Sequence, residues 1–148
     1  MAAIFSKILC PIDFEHDSIN ALEIAGRLAK QNAATVCLLS VIGEPLVPAR
    51  ELPPVPISPN PRFESRCRER LEAIAREKLA GVRHEVFIKS GNAAPQILNL
   101  AAERKIDLIV MGTHGRKGLK LFLLGSVAER VVRESPVPVL TIRPKAGG

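Results

Sequence analysis

With 148 residues the chain is long enough to bury roughly 70% of its unfolded surface in one domain, and a 47% apolar content excludes disorder as the general state. No apolar run approaches the ~20 residues that span a bilayer, and the opening MAAIFSKILCPID has no charged leader ahead of a small-residue cleavage site. A formal charge of +6 invites nucleic acid, but no Trp, no Tyr and only five Phe leave few surfaces on which bases could stack, so nucleic-acid binding is the weaker reading.

Strand and helix patterns alternate along the chain. Residues 7–12 read as a first strand, and Asp17 or Ser18 is placed to cap a helix reaching about Gln31. Ala21, Ile24, Ala25 and Leu28 give that helix the i, i+3, i+4, i+7 stripe of a core-facing face. Residues 35–42 form a second strand, nearly all apolar, as expected for a strand covered on both faces. The segment 43–61 then holds Pro45, Pro48, Pro53, Pro54, Pro56, Pro59 and Pro61, too many for regular structure, and predicts a semi-rigid or mobile loop. A second helix over 63–80 turns Cys67, Leu71, Ile74 and Ala75 inward. Its arginines are interleaved with Glu64, Glu69, Glu72 and Glu77, the pattern of a solvated, salt-bridged face.

Residues 82–89 give a third strand, and Asn92 is placed to cap a third helix with Ala94, Ile97, Leu98 and Ala101 inward. A strand at 108–111, a short helix from Ser126 and a strand at 137–143 complete the series. Five strands with intervening helices call for a doubly wound parallel sheet, a single α/β domain over 1–148 with the Pro-rich loop at 43–61. Cys10 and Cys37 fall inside buried strands, and with Cys67 they form no CxxC pair. They read as small core hydrophobes, an odd and widely spaced set that suits a reducing cytoplasm.

One spacing carries chemistry. Gly112 and Gly115 are followed, after nine residues, by Gly125 and Ser126, between a strand and a helix. Glycines at a strand exit and a helix start let bare backbone N–H groups approach an anion. The helix N-terminus adds partial positive charge there, and Ser126 adds a hydroxyl donor. Thr113, His114, Arg116, Lys117 and Lys120 contribute further donors and charge. Neither the GxxxxGK[ST] phosphate loop nor a GxGxxG dinucleotide fingerprint occurs. Bare glycines alone would read as turn and cap positions. In doubly wound sheets ligands bind beyond the carboxyl ends of the strands, so Pro11-Ile12-Asp13, Val41 and the glycine loop should converge. Nucleotide binding is the reading to test.

Several blocks agree, in order, with one family. KILCPIDF, SGNAAPQI, DLIVMGTHGRKGL, LLGSVAERVV and SPVPVLTIRP together resemble the ATP-binding branch of the universal stress proteins, over nearly the whole chain. The G-x-x-G-x9-G-S spacing is that branch's nucleotide motif and is complete here. The resemblance implies a Rossmann-like five-stranded sheet in the order 3-2-1-4-5 with helices on both faces, a homodimer, and bound ATP. It sets Pro11, Ile12 and Asp13 beside the adenosine and Val41 on the adenine side. Met111 and Gly112 fall at the ribose-side turn, His114 and Gly115 along the phosphate path with Arg116 near it. Gly125, Ser126 and Val127 match the helix start that receives phosphates. Ile12 stands where the family often has a hydroxyl residue or Val, so any side-chain hydrogen bond there is absent.

Magnesium is expected through the phosphates, since a hard cation keeps several waters, with no protein metal site and no catalytic residue assigned. Asp13 has an ordinary alternative role in capping the turn into the first helix, and His114 in being a plain loop histidine. A carboxylate pair near the glycine loop is missing, as are the HxGH, KMSKS and SGGxDS signatures of enzymes that split ATP at its α-phosphate. The expectation is therefore a cytoplasmic, nucleotide-dependent regulatory protein. The alternatives are a slow ATPase acting as a timer and a structural dimer with an empty pocket. The dimer would form through 137–143, whose apolar edge lacks a blunting charge.

Overall fold

The computed structural model describes residues 3–43, 61–113 and 124–143. Nine elements alternate: β1 (Lys7–Pro11), α1 (His16–Asn32), β2 (Thr35–Ile42), α2 (Pro61–Lys78), β3 (His84–Ser90), α3 (Ala93–Glu103), β4 (Leu108–Gly112), α4 (Ser126–Glu134) and β5 (Val139–Ile142). All strand pairs are parallel, in the order β3-β2-β1-β4-β5, so β1 sits centrally and β3 and β5 are the edges. This is the predicted doubly wound sheet. The predicted Pro-rich loop lies, apart from its end residues Gly43 and Pro61, outside the described residues.

Successive side chains of a strand face opposite sides of its sheet, and that period divides the core in two. Ile8, Cys10, Ile12, Val36, Leu38, Leu108 and Val110 pack under α1 and α2, together with Ala21, Leu22, Ala25 and Leu71. Leu9, Cys37, Leu39, Ile109 and Met111 pack on the other face against α3 and α4, with Ile97, Leu100 and Val131. Each fully buried Leu or Ile contributes about 1.5–3 kcal/mol over leaving it in water, and the strands and the helices that cover them share these residues evenly.

Several element ends move from their predicted positions. Glu15, not Asp17 or Ser18, is the residue before α1, because Asp13 and Ser18 fold the preceding turn themselves. The described part of α2 begins at Pro61, since proline's missing N–H is harmless in a first helical turn. It stops at Lys78, because the chain turns through Gly81 in the left-handed region (φ 79°). Strand β3 accordingly starts at His84 rather than residue 82. Asn92 does precede α3, though its side chain makes no capping bond. Leu100, not Leu98, is the fourth buried residue of α3, with Leu98 only partly covered. Strand β5 shortens to four residues because Pro138 has no N–H to give the ladder; its carbonyl still accepts from Ile109 N at 3.0 Å.

Candidate functional site

The carboxyl ends of β1, β2 and β4 meet at one end of the sheet. Pro11 is level with Leu39 of β2, and Ile12 N donates to Leu39 O at 2.8 Å, so Val41 stands just past the tip of β1. The β1–β4 register (Ile8 with Leu108, Leu9 with Ile109) carries on to set Pro11 level with Met111. Pro11, Asp13, Val41, Met111 and Gly112 are thereby brought to one end of three adjacent strands.

The same alternation that builds the core sorts these residues by face. Val41 and Met111 point to the α3/α4 side, where Val41 is half-buried and Met111 is 5% exposed. Ile12 points to the α1/α2 side and is 3% exposed. Its side chain is core, so only its backbone is left to face a ligand. Gly112 meets α1: a Cβ built there would lie 2.8 Å from Asp17 Cβ and 3.1 Å from the Asp17 carbonyl carbon. That close approach, which the sequence did not signal, is itself a reason for glycine at this position.

The turn after β1 is a closed hydrogen-bonded unit. Asp13 Oδ1 accepts from Glu15 N at 2.9 Å, Asp13 N donates to Ser18 Oγ at 3.2 Å, and Ser18 Oγ donates to Glu15 O at 3.0 Å. Ser18 is buried at 6% exposure. The turn-capping role of Asp13 is therefore real, and it uses one carboxylate oxygen; Oδ2 has no protein partner among the described residues. Phe14, in the middle of the turn, is in the left-handed region with φ 69°.

At the start of α4 the backbone forms a clasp. Gly125 N donates to Thr113 O at 2.6 Å, and Thr113 N donates to Ile142 O at 3.2 Å, so the β4 exit, the α4 start and β5 are tied together. Thr113 is buried at 2% exposure, and its backbone N–H and C=O are the groups that make this clasp. Gly125 is buried with φ −61° and ψ 159°, an extended conformation open to any residue, so backbone freedom does not call for glycine there. The first intrahelical bond runs from Glu129 N to Gly125 O at 2.9 Å. Ser126, Val127 and Ala128 consequently start the helix with N–H groups that have no intrahelical acceptor, and Ser126 is exposed. Those groups and the helix dipole make an anion-favouring end. His114, Gly115 and Arg116, together with Lys117 and Lys120, lie outside the described residues.

Other polar and titratable groups have structural roles. Cys10 and Cys37 are buried free thiols; desolvation pushes Cys10 far up, and desolvation with nearby Glu85 takes Cys37 to about 11. Arg130 with Glu134 (2.7 Å) and Arg133 with Glu129 (2.6 Å) form exposed i, i+4 pairs on α4. The His84 ring is partly covered and lies 3.5 Å from Glu72. A solvent-open hollow of about 510 Å³, lined by Thr35, Val82, Arg83, His84 and Glu85, sits at the amino ends of β2 and β3, opposite the strand tips. No three His, Cys, Asp or Glu side chains converge as a metal cluster, and no helix is long and apolar enough to cross a membrane, among the described residues.

Known proteins share this arrangement. A universal stress protein from Bacillus subtilis, YxiE, is 37% identical over 147 residues, covering 94% of this chain and 99% of its own. Universal stress protein MJ0577 of Methanocaldococcus jannaschii is 29% identical over 98% of this chain. Its solved structure superposes with a TM-score of 0.77 and covers 100% of that chain. A universal stress protein solved in complex with cAMP, 24% identical, shares the fold at a TM-score of 0.65, over 94% of this chain and 97% of that one. The model of the universal stress protein family matches residues 5–143, from the first strand through the last, and the chain belongs to that family.

Proposed function

We propose that this universal stress protein binds ATP beyond the carboxyl ends of β1, β2 and β4 and acts as a nucleotide-dependent regulatory protein. The observation that carries the reading is the start of α4. A buried glycine, its own N–H already held by Thr113, precedes a helical turn with N–H groups of Ser126, Val127 and Ala128 without helical acceptors. Such an end suits the polyphosphate. Pro11 and Val41 offer apolar surface to the base and ribose, the Met111 side chain being core, and Oδ2 of Asp13 offers an acceptor to a hydroxyl. The solved family member in complex with cAMP supports an adenine nucleotide in this fold. His114, Gly115 and Arg116 belong to the same proposal through the glycine spacing. Magnesium would be held mainly by the phosphates with its waters. The partner proposed besides ATP is a second copy of the chain, joined along 137–143.

Calorimetric titration tests the binding. Saturable ATP uptake is expected for the unaltered protein and none for Gly125→Val, whose branched side chain fills the space left for phosphate. Ser126→Ala should weaken binding by about 0.5–1.5 kcal/mol, one hydrogen bond, or by more if that bond is charge-assisted. Absence of heat at millimolar ATP overturns the reading; a Ser126→Ala protein that binds like the original reduces its hydroxyl to a helix-end substituent.

A further inference from the structure

We infer that Arg70, on α2 and outside every strand tip, is a positioning residue for the nucleotide site: it clamps the Phe14 ring and thereby holds the Asp13 carboxylate. Phe14 has φ 69°, a conformation that bulky aromatic residues rarely adopt and that persists only where the surroundings over-determine it. Two sets of contacts do so here. On the backbone side, Asp13 Oδ1 takes the Glu15 N–H at 2.9 Å, and the buried Ser18 hydroxyl ties Asp13 N to Glu15 O. On the side-chain side, the Phe14 ring packs at the margin of the α1/α2 core, and the Arg70 guanidinium carbon stands 4.1 Å from its centroid. A cation over an aromatic face is attracted by the ring quadrupole, so Arg70 covers the side of Phe14 that the core leaves open.

The consequence runs through one residue. Release of the ring lets Phe14 relax toward negative φ, and because Phe14 links Asp13 to Glu15, that relaxation pulls the Glu15 N–H off Asp13 Oδ1. The carboxylate then loses its fixed direction at the tip of β1. Helix α2 thus acts on the site without touching the ligand. The inference rests on the ATP reading for its effect on affinity, but its structural half stands without ligand.

The experiment compares Arg70→Met, which keeps length and helix propensity but no charge, with Arg70→Lys, which keeps a cation. Amide exchange at Asp13 and Glu15 is followed by NMR without nucleotide, and the ATP Kd is measured alongside. Arg70→Met should speed exchange at Glu15 and raise the Kd by about two- to fivefold each, the worth of one exposed cation–π contact, while Arg70→Lys stays closer to the unaltered protein than Arg70→Met in both. Unchanged exchange in Arg70→Met overturns the inference whatever ATP does, and so does a lysine variant as impaired as the methionine one. Faster exchange with an unchanged Kd overturns the link to affinity. If the unaltered protein takes up no ATP, the binding reading falls, and the Glu15 amide alone decides whether Arg70 holds the turn.

Discussion

Gly112 shows how one position can serve packing and binding together. The glycine spacing marks it as a phosphate-loop residue, yet the nearest matter to its missing Cβ is the first turn of α1, with Asp17 Cβ at 2.8 Å and backbone behind it. Helix α1 can lie this close to the end of β4 only because position 112 has no side chain. Gly112→Ala should therefore destabilise the apo protein by about 1–3 kcal/mol, the usual cost of overpacking. In a chain of this size that lowers Tm by roughly 2–10 °C, read by thermal unfolding without nucleotide. An unchanged Tm would mean that α1 moves away at no cost. Gly125 is the contrasting case: its backbone angles suit any residue, so they do not call for glycine.

The elements were legible from the sequence because each buries one periodic face. Residues 35–42 were bounded correctly, since a strand covered on both sides is apolar throughout and ends where the helix-breaking and turn residues begin. The strand order was carried by the resemblance and agrees with the sheet. What the sequence did not give follows from tertiary contact. Leu98 and Leu100 of α3 both lie near its apolar stripe, and in the fold Leu100 is enclosed while Leu98 stays partly covered. The pattern after β1 predicts a helix start capped by Asp17 or Ser18, whereas Ser18 reaches backwards to Asp13 and Glu15 around the left-handed Phe14. At the site, Pro11, Asp13, Val41, Met111 and Gly112 converge as anticipated. Ile12 stands at the same tip, with its side chain turned into the core by the alternation along β1. The Thr113–Gly125–Ile142 clasp is made of backbone groups, which no side-chain pattern announces.

The whole molecule has two unlike sheet edges. On β3, the guanidinium of Arg68 donates to Val86 O at 3.2 Å and Glu72 approaches His84, so α2 side chains overhang that edge. On β5, Leu140 is 38% exposed, and Val132 of neighbouring α4 is 45% exposed. An exposed apolar edge is a template for another strand, and pairing about a twofold axis would close it. The proposed homodimer thus predicts a sedimentation mass near twice 16.0 kDa, shifted toward one copy by Leu140→Lys. A single-copy mass at tens of micromolar contradicts the edge pairing. The central claim is that ATP sits at the strand tips against the start of α4, and amide shift mapping by NMR locates a ligand directly. On adding magnesium and ATP, the account predicts the largest shifts at Asp13, Val41, Gly112, Ser126 and Val127, with the hollow at Thr35 and residues 82–85 unmoved. Shifts confined to that hollow, or none at millimolar ATP, would contradict it.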